Sequence, residues 1–323
     1  MKNALPQTAI IAITQRCNSK CTFCKMWECE NPVDLNESII DKLPLSLKEV
    51  NITGGEPFLH KKINLLVEKL SGRGCKVIIN TNGLVKIPTN SPLLKLKRVG
   101  IRFSLDGIRE AHDSLRGIPG NYKKVIDQID NLQSAGFTDL GIVSTFSDAN
   151  CGELEPLYRL SHMLHIGFTC AIAANSELFY KNRGNVFENP DPFIRSLRKI
   201  IRSELFSLKM NNLGKALFMN ELAHFAAHPA KYLPCSAGKS FFYLAASGEV
   251  FACNMRSLPM GNLVENSFKD LWSSSKSQSV RRSTARCDSP CWTMCNAKQI
   301  MKDEPATYLL NFCQPWKASH EKN

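Results

Sequence analysis

Six short apolar stretches recur between residues 9 and 174, and each is followed by glycine or a polar residue. They cover residues 9–14 (AIIAIT), 50–53, 76–81 (KVIINT), 99–105 (VGIRFSL), 140–146 (LGIVSTF) and 168–174 (FTCAIAA). Runs this short and rich in β-branched residues suit strands buried on both faces. Amphipathic helical patterns lie between them. Ile63, Leu66, Val67 and Leu70 share one helical face, as do Tyr122, Val125, Ile126, Ile129 and Leu132. This alternation specifies an α/β fold with a parallel sheet, here a partial (β/α)6 barrel of the TIM type.

In such folds the chemistry sits beyond the carboxyl ends of the strands. Cys17, Cys21 and Cys24 follow the first stretch, and Gly54, Gly55 and Glu56 follow the second. Thr81, Asn82 and Gly83 end the third, and Ser104, Leu105, Asp106 and Gly107 end the fourth. The pattern changes near residues 185–192. Asp191 and Pro192 predict a helix start, with Ile194, Leu197, Ile200, Ile201 and Leu205 at helical spacing. Arg195, Arg198, Lys199 and Arg202 then form a solvated basic face. From Cys235 onward the chain is rich in cysteines and turns. Two units are expected: a barrel over residues 1–228 and a small cysteine-rich α+β extension over 229–323.

Composition narrows the class. The chain is 43% hydrophobic, enough to fill a sizeable core. No apolar run approaches the ~18 residues of a transmembrane helix. Residues 9–13 are too short for the core of a signal peptide, and a cytoplasmic location is expected. In a reducing compartment the 13 cysteines point to metal or redox chemistry rather than disulfides. Cys75, Cys151 and Cys170 stand alone and read as small buried hydrophobes. The formal net charge of +12 suggests an anionic partner. The basic residues are dispersed, and no basic run interleaves with aromatics, so nucleic acid is not the expected partner.

Cys17, Cys21 and Cys24 form a three-thiol set on one loop. A structural zinc site wants four ligands, and Cys29 is off the rhythm. Three thiolates can instead hold three irons of a [4Fe–4S] cluster and leave the fourth open, as a reactive site requires. Zinc with a distant fourth ligand fits the same spacing.

CNSKCTFC over residues 17–24, with Phe23 before the last cysteine, resembles the CxxxCxxC motif of the radical S-adenosylmethionine (radical SAM) family. NITGGEP over residues 51–57 is similar to that family's GGE motif, and TNG, SLDG and HDSLRGIPGNY (residues 112–122) follow in the family's order. The resemblance covers about residues 8–180. It implies that Cys17, Cys21 and Cys24 ligate a [4Fe–4S] cluster whose open iron chelates SAM, and that a 5′-deoxyadenosyl radical abstracts hydrogen from a substrate. It also implies roles around SAM. Gly54 and Gly55 allow close backbone approach, and Glu56 accepts from the SAM ammonium. Ser104 and Asp106 meet the ribose, while Thr81, Asn82 and Ser144 line the same pocket. Arg116 meets the SAM carboxylate or an anionic substrate, and His112 is a candidate base. The plainer alternatives are turns at Gly54–Gly55 and Asp106–Gly107, and a surface ion pair at Arg116.

Six cysteines lie from Cys235 onward: Cys235, Cys253, Cys287, Cys291, Cys295 and Cys313. The C-x12-G-x4-C stretch from Cys235 through Gly248 to Cys253 resembles the opening of SPASM and twitch domains, which carry auxiliary [4Fe–4S] clusters. The later C-x3-C-x3-C departs from the SPASM pattern. At least one auxiliary cluster is expected, on Cys235 and Cys253, then Cys287 and Cys291, with Cys295 or Cys313 as substitutes. A zinc site is the alternative. An auxiliary cluster can take an electron from a substrate radical. If the reaction is instead an epimerisation, Cys29, Cys170, Cys295 and Cys313 are candidate hydrogen-atom donors.

The first strand begins near residue 8, which leaves no room before it for a peptide-recognition domain. A small polar or anionic substrate, saccharide-like or nucleotide-linked, is therefore expected, with a peptide as the alternative. The expected electron donor is external, such as flavodoxin or ferredoxin. An RNA-modifying radical SAM enzyme and a non-enzymatic iron–sulfur or zinc redox sensor are the remaining readings.

Overall fold

The computed structural model describes residues 5–206, 210–229, 235–289 and 291–312. Its frame is six parallel strands: β1 (Thr8–Ala12), β2 (Glu49–Thr53), β3 (Lys76–Thr81), β4 (Val99–Ser104), β5 (Leu140–Phe146) and β6 (Gly167–Ile172). They pair in chain order, β1 to β6. Their ends fall within two residues of those read from the sequence. With helices between them, they form the expected partial barrel.

The period of two decides which side each residue faces. Val50 and Ile52, Ile101 and Phe103, and Leu140 and Ile142 all lie in one apolar core layer. The helices Ile63–Gly72, Asn121–Ser134 and Leu154–Met163 contribute Leu66, Val67, Ile129, Leu132 and Leu157 to that layer. Each such side chain contributes roughly 1.5–3 kcal/mol on burial. Cys75 and Cys170 are buried in the same layer, as expected of small hydrophobes, and Cys151 packs partly buried against it. The other side of the strands is mixed, with Ile78 and Val143 among polar residues. Asn51, Asn80, Arg102 and Thr169 border a cavity of about 250 Å³, and Met294, Lys298, Met301 and Lys302 of the helix Met294–Asp303 line it too.

The cysteine-rich part is continuous with the barrel sheet. β7 (Phe241–Leu244) adds parallel to the free edge of β1, with Ile10 opposite Tyr243. β8 (Glu249–Phe251) and β9 (Pro259–Asn262) continue antiparallel, giving one nine-stranded sheet, β6-β5-β4-β3-β2-β1-β7-β8-β9. Phe242 packs against Phe268 and Trp272 at 5.0 and 6.1 Å between ring centroids. The expected boundary near residue 228 follows the helix Met210–Ala227. Leu217 of that helix shares a core with Ile300 and Tyr308. Interactions thus cross the boundary through both a sheet and a helix layer.

Candidate active site

The loop after β1 is held from three directions by backbone hydrogen bonds. Gly55 N donates to Thr14 O at 2.8 Å, and Glu56 N donates to Arg16 O at 2.7 Å. Lys20 N and Thr22 N donate to Arg116 O and Leu115 O, both at 2.9 Å, at the end of the helix Glu110–Arg116. Lys25 N donates to Tyr180 O at 2.8 Å, and Asn185 Nδ2 to Phe23 O at 3.0 Å. The two glycines are what permit the first contact. A Cβ on Gly54 would stand 2.3 Å from Thr14 O, and one on Gly55 2.0 Å from Arg16 O. What they approach closely is the cysteine loop itself.

That loop brings the three expected thiols together. Burial pushes the Cys17 thiol up to about 12, and the neighbouring Cys21 and Cys24 add to the effect. Burial likewise pushes Cys24 up to about 11. Cys21 is 7% exposed and packs with Phe23 and Ala173. A metal bound there would displace these protons, because a coordinating thiol is ionised outright.

Around the loop, most residues expected at SAM are present at the strand ends, but several are committed within the protein. Glu56 is fully buried. Its Oε1 accepts from Phe58 N at 3.0 Å and Thr81 Oγ1 at 2.8 Å, and its Oε2 from Asn82 N at 2.7 Å. One of the carboxylate's four acceptor sites remains, on Oε2. Burial raises its pKa to about 7 against the pull of those donors. Asn82 Nδ2 donates to Asn18 Oδ1 at 2.8 Å, tying the third strand end to the cysteine loop. Ser104 is half-buried at the end of β4. Ser144 is fully buried and donates to Leu105 O at 2.5 Å.

Asp106, expected at the ribose, has both oxygens engaged. Oδ1 accepts from Thr145 N at 2.7 Å, and Oδ2 accepts from Arg116 Nε at 2.6 Å. Arg116, read as a surface ion-pair residue or a ligand for an anion, is 8% exposed instead. Burial works against its charge, and the Asp106 carboxylate together with Cys21 outweighs that penalty and keeps the guanidinium protonated. His112 accepts from Asp106 N at 3.1 Å through Nδ1, and its buried Nε2 has no partner. Burial, with the Arg116 charge beside it, drives the His112 pKa down to about 3. The imidazole is therefore neutral at pH 7.

Sequence reasoning missed the segment after β6. Tyr180 packs edge-on to Phe23 at 6.3 Å and beside Cys24. Asn185 fixes Phe23 O and Ala174 O together. The signal available was positional. Every earlier strand end carries a site residue, so the residues after the sixth were candidates too.

The C-terminal thiols are less gathered. Cys253 is buried, and the thiols of Cys235 and Cys287 are near enough to add to the rise that burial causes in its pKa. Cys291 is exposed. Cys295 lies in the first turn of the helix Met294–Asp303, and burial pushes its pKa to about 11. Its charged neighbours are Lys298, Glu49 and Lys302. Cys313 lies outside the described residues. Among the described residues no three Cys, His, Asp or Glu side chains converge on a single-ion site.

Two family models match in this order. The radical SAM superfamily matches residues 11–153, and the SPASM iron–sulfur cluster-binding domain matches residues 235–296. The chain carries a radical SAM domain followed by a SPASM domain. Among curated proteins it resembles the Fe-coproporphyrin III synthase of Methanosarcina barkeri, at 24% identity over 92% of this chain and 86% of that one. It also resembles the sporulation killing factor maturation protein SkfB of Bacillus subtilis, at 24% identity over 88% of this chain and 68% of that one. Among solved structures, anSMEcpe with bound AdoMet shares its fold with a TM-score of 0.67 at 14% identity, covering 95% of this chain and 98% of that one. SuiB of Streptococcus suis bound to S-adenosylmethionine gives 0.64 at 19% identity, covering 84% and 66%.

This radical SAM enzyme uses SAM, a [4Fe–4S] cluster and SPASM auxiliary clusters, and its residues fit them. Three neighbouring thiols on one loop, Cys21 buried and Cys17 and Cys24 half-buried, an adjoining guanidinium and two glycines that let the GGE turn press against that loop suit a thiolate-bound cluster. Cys17, Cys21 and Cys24 would hold it, with Glu56 Oε2 the free acceptor nearby. Bound there, the cluster and SAM would supply the radical chemistry that takes a hydrogen atom from a substrate. The chain's own part is to hold the thiols, bury the site and keep His112 uncharged. Among the described residues no helix is long and apolar enough to cross a membrane.

Proposed function

We propose that the enzyme removes a hydrogen atom from a small anionic substrate, saccharide-like or nucleotide-linked, and that the substrate leaves oxidised. The observation that carries this is a crevice of about 500 Å³. One wall, with Asn175, Ser176, Glu177 and Arg183, belongs to the segment that also presses Tyr180 and Asn185 onto the cysteine loop. The other wall, with Met255, Arg256 and Leu258, follows Cys253 directly. A substrate held there would lie between the segment packed on the cysteine loop and the stretch that follows Cys253. Loss of a hydrogen atom at the first, then of an electron to the second and a proton to solvent, is a two-electron oxidation.

Charge supports an anion. Arg256 also lines a neighbouring groove of about 440 Å³ with Arg282 and Arg286. Guanidinium forks recognise carboxylates and phosphates in bidentate fashion. Oxidation is favoured over epimerisation because two of the candidate hydrogen donors sit elsewhere. Cys170 is sealed in the core layer, and Cys295 lies beside Glu49 at the far end of β2 from the GGE turn. A cytoplasmic flavodoxin or ferredoxin is the expected reductant. A peptide substrate is the second reading, supported by the relatives named as SkfB and as the mycofactocin maturase MftC.

The test is an anaerobic assay of the reconstituted enzyme with nucleotide sugars, sugar phosphates and short acidic peptides. The small anions are expected to raise 5′-deoxyadenosine formation at least tenfold and to yield a product two hydrogens lighter. Stimulation by peptides alone would support the second reading. A product of unchanged mass would contradict oxidation.

A further inference from the structure

Arg116 is bound on three sides. Its Nε donates to Asp106 Oδ2 at 2.6 Å, its Nη1 lies 3.5 Å from Cys21 Sγ, and its guanidinium carbon stands 5.3 Å from the centre of the Phe23 ring. Asp106 is itself fixed by Thr145 N, and the helix end that carries Arg116 is fixed by Lys20 N and Thr22 N of the cysteine loop. Little rotational freedom is left to this side chain. The three thiols are not treated alike. Cys17 and Cys24 face the backbone N–H groups of Ser19 and Met26, whereas Cys21 Sγ lies 3.3 Å from Ser19 Oγ and alone receives a charged donor.

An arginine serving only to balance Asp106 has no need to reach a sulfur. A cation aimed at a ligating sulfur in a buried site acts on the charge of the group that sulfur ligates. The reduced cluster carries one more negative charge than the oxidised one, so a fixed positive charge and an N–H···S bond stabilise the reduced form more. Asp106 contributes orientation: it turns the positive edge of the pair toward Cys21 and away from itself.

We propose that Arg116, positioned by Asp106 and Phe23, sets the reduction potential of the cluster ligated by Cys21. It makes the single electron drawn from the reductant easier to accept, with no bond made or broken in the protein. The side chain that the sequence assigned to a carboxylate thus has its own effect on the cluster.

The test is an electron paramagnetic resonance titration of the reconstituted full-length enzyme. The SAM-binding cluster is identified by the change its signal undergoes when SAM is added, and no substrate is needed. Arg116→Gln should cut the reduced-to-oxidised ratio of that cluster at a fixed potential at least tenfold, equivalent to about 59 mV for one electron. Arg116→Lys keeps a charge but loses the fork, and should cut the ratio about threefold. The auxiliary signals should not move. A midpoint equal to that of wild type in a Gln variant with full iron content would overturn the proposal and leave Arg116 a packing residue. Should the Gln variant hold no cluster, the Lys variant decides: a lowered midpoint supports the proposal, and an unchanged one overturns it.

Discussion

The chain builds two cysteine centres by opposite means. The first takes its thiols from a single eight-residue loop. That loop is hydrogen-bonded to the end of β2, to the helix Glu110–Arg116 and to the segment after β6. The second draws on five cysteines between Cys235 and Cys295, of which Cys235 and Cys287 lie near Cys253 while Cys291 is exposed. The barrel thus preforms one site. At the other, metal binding supplies part of the folding free energy. This division suits the proposed chemistry: a site that must keep an open iron and orient SAM needs a rigid frame, and an auxiliary cluster that only takes up an electron needs less of one.

The largest break in this contrast should come from one methyl group. Gly55→Ala would press a Cβ to 2.0 Å from Arg16 O, a backbone atom that cannot move without dragging the cysteine loop. Loss of at least a hundredfold in 5′-deoxyadenosine formation is expected, with the SAM-cluster iron lost and the auxiliary iron retained. Iron analysis beside the resonance signals checks this. Removing iron altogether should separate the centres by dynamics. Amide hydrogen exchange should rise about a hundredfold over residues 285–300 and less than fivefold over residues 14–25, where backbone bonds hold without metal. Equal rises in both would erase the distinction.

The smallest effect concerns acid. His112 has a pKa of about 3 in the folded chain, against an ordinary histidine value of 6.5. Below pH 6.5 the unfolded chain therefore binds a proton that the folded chain refuses. Stability falls as pH drops toward 3 and is unaffected by this group above 6.5. At about 1.4 kcal/mol per unit, the metal-free protein should lose about 2 kcal/mol between pH 6.5 and pH 5. His112→Asn, whose Oδ1 can take the Asp106 N–H, should remove that slope in urea titrations.

Much of this was legible in the sequence, for identifiable reasons. The strands show because short runs bounded by small polar residues are local patterns, and the cysteine loop shows because its spacing is contiguous. Partnerships between distant residues did not show. Asp106 sits in a turn that reads as a ribose contact, and only the orientation of the next helix brings Arg116 onto it. Gly54 and Gly55 read as room for a ligand, yet they make room for a neighbouring loop. Tyr180 has no motif around it and enters the site because the segment after β6 folds back over the cysteine loop. The pairing of β7 with β1 was hidden for the same reason, since more than 220 residues separate the two strands.

The most direct test of the whole account is SAM cleavage itself. The protein would be reconstituted with iron and sulfide under anaerobic conditions and given SAM and a strong reductant. 5′-Deoxyadenosine would be quantified against the Cys17/Cys21/Cys24→Ala variant. Product from the wild type and none from the variant is the expected result. A wild-type protein with its full iron complement and no product would contradict the assignment of the three-thiol loop as a radical-generating centre.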